Sequence, residues 1–228
     1  MSRTQFALVT GASSGIGLQV VESLLERGFF VFGASRTEME IEDDNLLEIE
    51  VELADETSVA EMFSQIREVT DGLDLVVHAA GVFEYGELGH TLSDSFQEVF
   101  NSNTLGTFHL YKHLEEFLLA RSTHIINFLS HASKKPYKYM SSFCAAEAGK
   151  MNFINSMKAE WKSKKIKITN VFVGAVDTPF WDNLEIRVDR RSMLDLDELM
   201  YVFDTLVDAS PRIQFHDITL SHIDDENE

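Results

Sequence analysis

Three glycines at fixed spacing follow the first apolar run of the chain. The segment Thr10-Gly11-Ala12-Ser13-Ser14-Gly15-Ile16-Gly17 joins a strand-like stretch, Phe6–Thr10, to a helical pattern that begins at Ile16. A turn of this composition is suited to holding a diphosphate. Gly11 permits a tight exit from the strand, Gly15 lets backbone approach the ligand, and Gly17 lets helix and sheet pack closely. The helix start then offers unpaired N–H groups and the positive end of its dipole. Ser13 and Ser14 add hydroxyl donors. Glycine is common in strand-to-helix turns, so this chemistry depends on the elements on either side.

Those elements alternate in a regular way. Apolar runs at Phe6–Thr10, Phe29–Ala34, Leu46–Leu53, Leu73–Ala79, His124–Leu129, Ile166–Val173 and Gln214–Leu220 read as strands. Between them, Ile16–Arg27, Thr57–Val69, Leu92–Ala120, Ser141–Ser163 and Asp195–Val207 carry helical spacing. Gly28 stops the first helix. Strands that are apolar throughout belong in a sheet covered on both faces, and right-handed crossovers make it parallel. The expected fold is α/β: a doubly wound, Rossmann-type parallel sheet of about seven strands with helices on both faces.

Composition narrows the function classes. The 228 residues fit one dinucleotide-binding domain, with an acidic tail over 221–228 that is expected to fray. A net charge of −19 argues against nucleic acid and against anionic membranes as partners. No apolar run approaches the roughly 20 residues that span a bilayer. The single cysteine, Cys144, cannot form an internal disulfide, which suits a reducing compartment. No signal segment precedes Phe6, and a cytoplasmic location is the expectation. No metal-ligand cluster stands out.

The glycine turn resembles that of the short-chain dehydrogenase/reductase family, and four further segments match in order. Asp74-Leu-Val-Val-His-Ala-Ala-Gly81 resembles the family's fourth strand, which usually ends Asn-Asn-Ala-Gly. Asn103-Thr-Leu-Gly106 resembles its helix motif. Asn127-Phe-Leu-Ser130 resembles the strand ending at the catalytic serine, and Gly174-Ala-Val-Asp-Thr-Pro179 the loop over the nicotinamide. The likeness runs from Phe6 to about Leu220. It implies a nicotinamide dinucleotide lying against Gly11, Ser13, Ser14, Gly15, Ile16, Gly17, Arg36, Glu52, Leu53, Ala79, Ala80, Gly81, Gly174, Val176 and Thr178.

Arg36 follows the second strand, where the adenosine ribose belongs. An acidic residue there would bind the 2′-hydroxyl of NAD, whereas arginine accommodates the 2′-phosphate of NADP. NADP(H) is therefore expected ahead of NAD(H). Against this, Ser14 stands where NADP-preferring members often carry a second basic residue. A plain surface arginine balancing the acidic run Glu38–Glu56 is the competing reading.

The same resemblance exposes a loss. Family members use a tyrosine to move the proton, a lysine four residues later to bind ribose and lower the tyrosine's pKa, a serine to orient substrate, and an asparagine to hold a relay water. The serine and asparagine match Ser130 and Asn103. The tyrosine and lysine positions hold Phe143 and Glu147. Phe143 has no titratable group, and general acid–base catalysis supplies about 10²–10⁴-fold. Glu147 would raise the pKa of a neighbouring acid. It could still accept hydrogen bonds from ribose hydroxyls, and it would favour the oxidised nicotinamide.

Substitutes for the lost groups are few: His131, Tyr137, Tyr139 and Tyr85 for the acid, Lys150 for the ammonium. Each also reads as an ordinary loop or helix residue. Phe180 and Trp181 could wall a substrate pocket or simply pack a lid. His78, in place of the family's asparagine, is expected to bond within the sheet.

The reading that follows is a protein that binds NADP(H) with impaired or no catalysis, as a cofactor sensor, scaffold or silent subunit. The alternative is an active oxidoreductase acting on a small carbonyl or alcohol with a relocated proton donor. The family's habits also imply a homo-oligomer, dimer or tetramer, formed through the two long helices.

Overall fold

The computed structural model describes residues 3–118, 123–164, 166–183 and 189–224. Seven strands form one fully parallel sheet in the order β3-β2-β1-β4-β5-β6-β7. They are β1 (Phe6–Thr10), β2 (Phe30–Ser35), β3 (Leu46–Glu50), β4 (Leu75–His78), β5 (His124–Ser130), β6 (Lys167–Val173) and β7 (Asp217–Leu220). The helices are α1 (Gly15–Glu26), α2 (Glu56–Val69), α3 (Ser93–Phe100), α4 (Gly106–Leu118), α5 (Ser141–Glu160) and α6 (Leu196–Asp208). The doubly wound α/β class expected from the alternation is the fold observed. The acidic tail falls outside the described residues from 225 onward.

Two apolar layers cover the sheet, as strands buried on both faces require. Leu8, Phe32 and Val76 point into the layer under α2, α4 and α5, beside Phe63, Leu110 and Ile154. Val9, Val31 and Val77 point into the layer under α1 and α6, beside Val20, Leu24 and Phe203. Alternate residues of each strand thus serve opposite layers. At about 25 cal/mol per Å² of apolar area, these layers are the main stabilising term.

One departure from the sequence reading bears on function. The helix expected over Leu92–Ala120 is interrupted. A five-residue π segment, Asn101–Leu105, lies between α3 and α4. Widened turns of this kind recur at functional sites, and the buried Asn103 occupies the middle of this one. Gly106 follows because a Cβ there would come within 2.9 Å of the Leu53 side chain. The segment reads Asn-Ser-Asn-Thr-Leu, with apolar helical spacing only on either side of it, so spacing alone does not reveal it. Residues 119 and 120 of the expected helix are outside the described set.

Candidate functional site

The carboxyl ends of the strands carry the candidate site. Gly11 leaves β1 at φ 72° and donates its N–H to the Ala34 carbonyl at 2.9 Å. A Cβ on Gly11 would sit 2.9 Å from the Ala80 backbone, and one on Gly17 would sit 2.0 Å from the Gly11 carbonyl oxygen. Both glycines are therefore needed by the turn itself. Gly15 is different. Its φ is 52°, and its missing Cβ faces the Thr178 side chain at 3.5 Å. Ser14 begins α1 in extended conformation, and its side chain caps no amide. The first N–H groups of the helix thus have no side-chain acceptor. Ser13 is tied outward, its hydroxyl taking a 2.8 Å bond from Thr37. Ile16 packs on the α1 side of the core.

Arg36 follows β2 directly, with its side chain 56% exposed and 3.9 Å from the Glu52 carboxylate. It borders a cleft of about 490 Å³ together with Ser35, Thr37, Glu38, Glu48 and Glu50. It is the one cation among those residues. Glu52 accepts from the Ala54 N–H at 3.1 Å. Leu53 is buried, and its carbonyl takes a bond from His109 at 2.9 Å. At the end of β4, the Ala79 N–H bonds the Thr10 carbonyl, and Gly81 lies against the Asn103 carboxamide. Gly174 bonds the Leu220 carbonyl. Val176 bridges to Leu194 and accepts from the Trp181 indole at 2.8 Å, and Thr178 is buried.

The glycine loop, the uncapped start of α1, Thr178 and Arg36 fit the adenosine diphosphate half of a nicotinamide dinucleotide. The other side of the cleft is lined by aromatic rings. Phe143 packs edge-on against Phe83, with ring centroids 5.0 Å apart. Phe83 also meets Phe180 at 5.4 Å and Trp181 at 6.1 Å. Four aromatic rings therefore cluster where the family places its proton donor. No motif in the sequence marks Phe83. The signal available was its position two residues past Gly81, immediately after the β4 motif.

Glu147 is turned inward, its side chain 4% exposed. One oxygen accepts the Ser130 backbone N–H at 3.0 Å. The other takes a 3.4 Å bond from the Asn103 amide and lies 3.9 Å from the Lys150 ammonium. Lys150 is equally buried and donates to the Ala80 carbonyl at 3.1 Å. Residues three apart share a helix face, so α5 delivers both charges to one place. Glu147 is thus neither an uncompensated anion beside the nicotinamide nor aimed outward at ribose hydroxyls. Burial pushes the Lys150 pKa below its ordinary value, and Glu147 opposes that shift.

Both amide protons of Asn103 are committed. Its amide also donates to the Val82 carbonyl at 2.9 Å, and its oxygen accepts the Val82 N–H at 2.8 Å. The Ser130 hydroxyl accepts from the Ala132 N–H at 3.1 Å. His78 sits fully inside the sheet between the Thr10 and Thr107 hydroxyls, at 2.7 and 2.9 Å. Burial holds it well below the ordinary histidine pKa, and the nearby Lys150 charge adds to this.

Among the substitute acids, His131 lies buried in a short 3₁₀ turn after β5 rather than on the strand. Tyr137 donates its backbone N–H to the Cys144 sulfur at 3.4 Å. Tyr139 has a φ of 66°, uncommon for a bulky residue. Its ring packs edge-on to Tyr85 at 5.6 Å, and the Lys138 ammonium lies 4.4 Å from its centre. Among the described residues, no helix is long and apolar enough to cross a membrane, and no group of His, Cys, Asp and Glu could hold a metal ion.

The fold and the glycine-led cleft define the class: a doubly wound dinucleotide-type α/β protein. A sequence profile described as short chain dehydrogenase matches residues 5–188. The chain is 30% identical over 203 residues to a 3-amino-tetrahydro-pyrrolizinone reductase of Xenorhabdus hominickii, covering 86% of this chain and 70% of that one. It is 27% identical to a sepiapterin reductase of Chlorobaculum tepidum, covering 83% and 85%. Among solved structures, an alcohol dehydrogenase from Thermococcus sibiricus complexed with 5-hydroxy-NADP superposes with a TM-score of 0.86 at 19% identity, covering 97% of each chain. A short chain dehydrogenase from Burkholderia cenocepacia in complex with NADP gives 0.82 at 20% identity, covering 96% of this chain and 89% of that one. The chain belongs to the short chain dehydrogenase family.

Proposed function

We propose that this protein binds NADP(H) in preference to NAD(H) at the glycine loop and Arg36, and that its proton-transfer machinery has been replaced by a structural ion pair. The observation that carries this reading is the state of Glu147. It is buried and spent on the Ser130 backbone, Asn103 and Lys150. When bound, the dinucleotide would supply hydride chemistry. Gly11, Gly15, the open start of α1 and Thr178 would hold its diphosphate, and Gly174 and Val176 would border the nicotinamide. Arg36 would hold the 2′-phosphate. The two NADP-type complexes among the structural relatives support that preference. Phe143 offers no proton, and both amide protons of Asn103 are committed to Val82 and Glu147. Cofactor sensing, scaffolding or a silent place in a homo-oligomer, in a cytoplasmic setting, are the roles that remain. The exposed Phe96, Phe100 and Phe108 on α3 and α4 offer an oligomer face.

One observation favours a second reading, an active reductase of small carbonyls. Tyr139 is held in a costly backbone conformation beside Lys138, and such strain clusters at functional sites. The experiment that separates the two is a pair of measurements on the full chain. NADPH and NADP⁺ are titrated by fluorescence, and turnover is followed on a panel of aldehydes and ketones. Binding without turnover is the expected result. Turnover that disappears in Tyr139→Phe would replace the first reading by the second.

A further inference from the structure

The sheet has a second cleft, at the amino ends of its strands, opposite the glycine loop. His124 opens β5 and Ser130 closes it, so the two ends are about 20 Å apart at roughly 3.3 Å per residue. The cleft measures about 510 Å³ and lies where β4, β5 and β6 begin. Small-molecule sites commonly span about 300–1,000 Å³. Phe29, Ile166, Val207 and Ile213 give it apolar walls. Ile213 is 48% exposed, which leaves apolar surface facing the opening.

Its charges do not balance. The charged or titratable residues lining it are Asp74, His124, Lys164, Lys167 and Arg212. Asp74 is held by Arg3 and by the Phe6 N–H, and Lys164 is held by Glu115. His124 bonds the Thr169 hydroxyl. Burial first, then the Lys167 charge, push its pKa down to about 4, so it is neutral at pH 7. Lys167 and Arg212 remain, and neither has an acidic partner among the described residues. Burial lowers the Lys167 pKa with no carboxylate opposing it. In a chain of net charge −19, two uncompensated cations in one cleft are unusual. The carboxyl end of α6, at Asp208, brings an opposing dipole of about half an elementary charge. Two full charges outweigh it.

We propose that this cleft binds an organic anion with an apolar body. The carboxylate head would be held by Lys167 and Arg212, and the hydrocarbon would lie against Phe29, Ile166 and Val207. Guanidinium geometry suits a carboxylate, and the walls exclude a purely ionic preference. The site is separate from the dinucleotide cleft, so both ligands bind together.

The test uses the full chain with octanoate, octanol and inorganic phosphate as probes, by calorimetry with and without saturating NADPH. Octanoate is expected to bind in both conditions, with octanol and phosphate each at least about tenfold weaker. The Lys167→Gln/Arg212→Gln variant should bind octanoate at least about tenfold more weakly while its circular dichroism and NADPH affinity stay unchanged. Absence of octanoate binding would overturn the proposal. So would equal binding by the double variant, competition by NADPH, or parity with octanol or phosphate. The NADPH titration is read independently, so failure of dinucleotide binding is a separate result.

Discussion

The two halves of the strand-end cleft have been treated differently. In the half formed by β1, α1 and β2, each glycine of the turn is retained for a reason visible in the backbone, and Arg36 stands open to solvent. In the half formed by β4, the π segment, β5 and α5, polar groups that could face a substrate are bound to one another instead. Asn103 is closed on Val82 and Glu147 and Lys150 on Ala80, while the apolar Phe143 packs on Phe83. Binding and turnover are separable demands. A diphosphate needs only backbone N–H groups and space, whereas proton transfer needs a titratable group in reach.

The largest effect expected from breaking this contrast falls on stability. Glu147→Leu leaves the Lys150 ammonium buried without its counter-charge and the Ser130 N–H without its acceptor. Breaking one partner of a buried pair costs about 3–5 kcal/mol. Urea denaturation should register that loss, and adding Lys150→Met should recover much of it. Wild-type stability in the single variant would show that the pair is not structural.

Next comes pH. His124 has a folded pKa of about 4 against an ordinary 6.5. The unfolded chain therefore binds the proton more readily between these values. The stabilisation is fully present above pH 6.5 and is lost as pH falls toward 4. The linkage is worth roughly 3 kcal/mol. His124→Gln should flatten the fall in stability between pH 7 and pH 5 relative to wild type. An unchanged slope would mean that this ring is not held neutral.

Arg36→Ala sharpens the contrast from the binding side. A charge-assisted bond to the 2′-phosphate contributes about 1.5–3 kcal/mol, so NADPH affinity should fall about 10- to 100-fold while NADH affinity holds. Equal losses for both would remove the preference for NADP(H).

The smallest expected effect is the most discriminating. Phe143→Tyr with Glu147→Lys restores the family's residue types but places a second ammonium beside Lys150. Little or no turnover should result. Neutralising that neighbour by adding Lys150→Met should raise reductase activity above the double variant. Full activity in the double variant would show that the ion pair does not obstruct the site.

Much of the molecule was legible beforehand. Strand and helix order, the glycine turn and the cation after β2 follow from local pattern and spacing, and the resemblance to the family adds that Phe143 and Glu147 stand at its tyrosine and lysine positions. The π segment does not, because Asn101–Leu105 reads Asn-Ser-Asn-Thr-Leu, and no residue type there signals that the hydrogen-bond register slips. Nor does the fate of Glu147. Its identity was plain, but its effect depends on a partner one helical turn away and on hydrogen bonds from β5 and the π segment.

By itself the sequence determined the class of fold, the glycine turn between the first strand and helix and, read against the family, the phenylalanine and glutamate at its tyrosine and lysine positions. These rest on backbone conformation and on which functional groups exist at all. The tertiary structure decided that Lys150 neutralises Glu147, that Phe83, Phe143, Phe180 and Trp181 gather over the candidate site, and that Lys167 and Arg212 border a cleft at the amino ends of the strands. Charge compensation and ring packing act through space over a few ångströms, and only the assembled fold sets which distant residues come within that range.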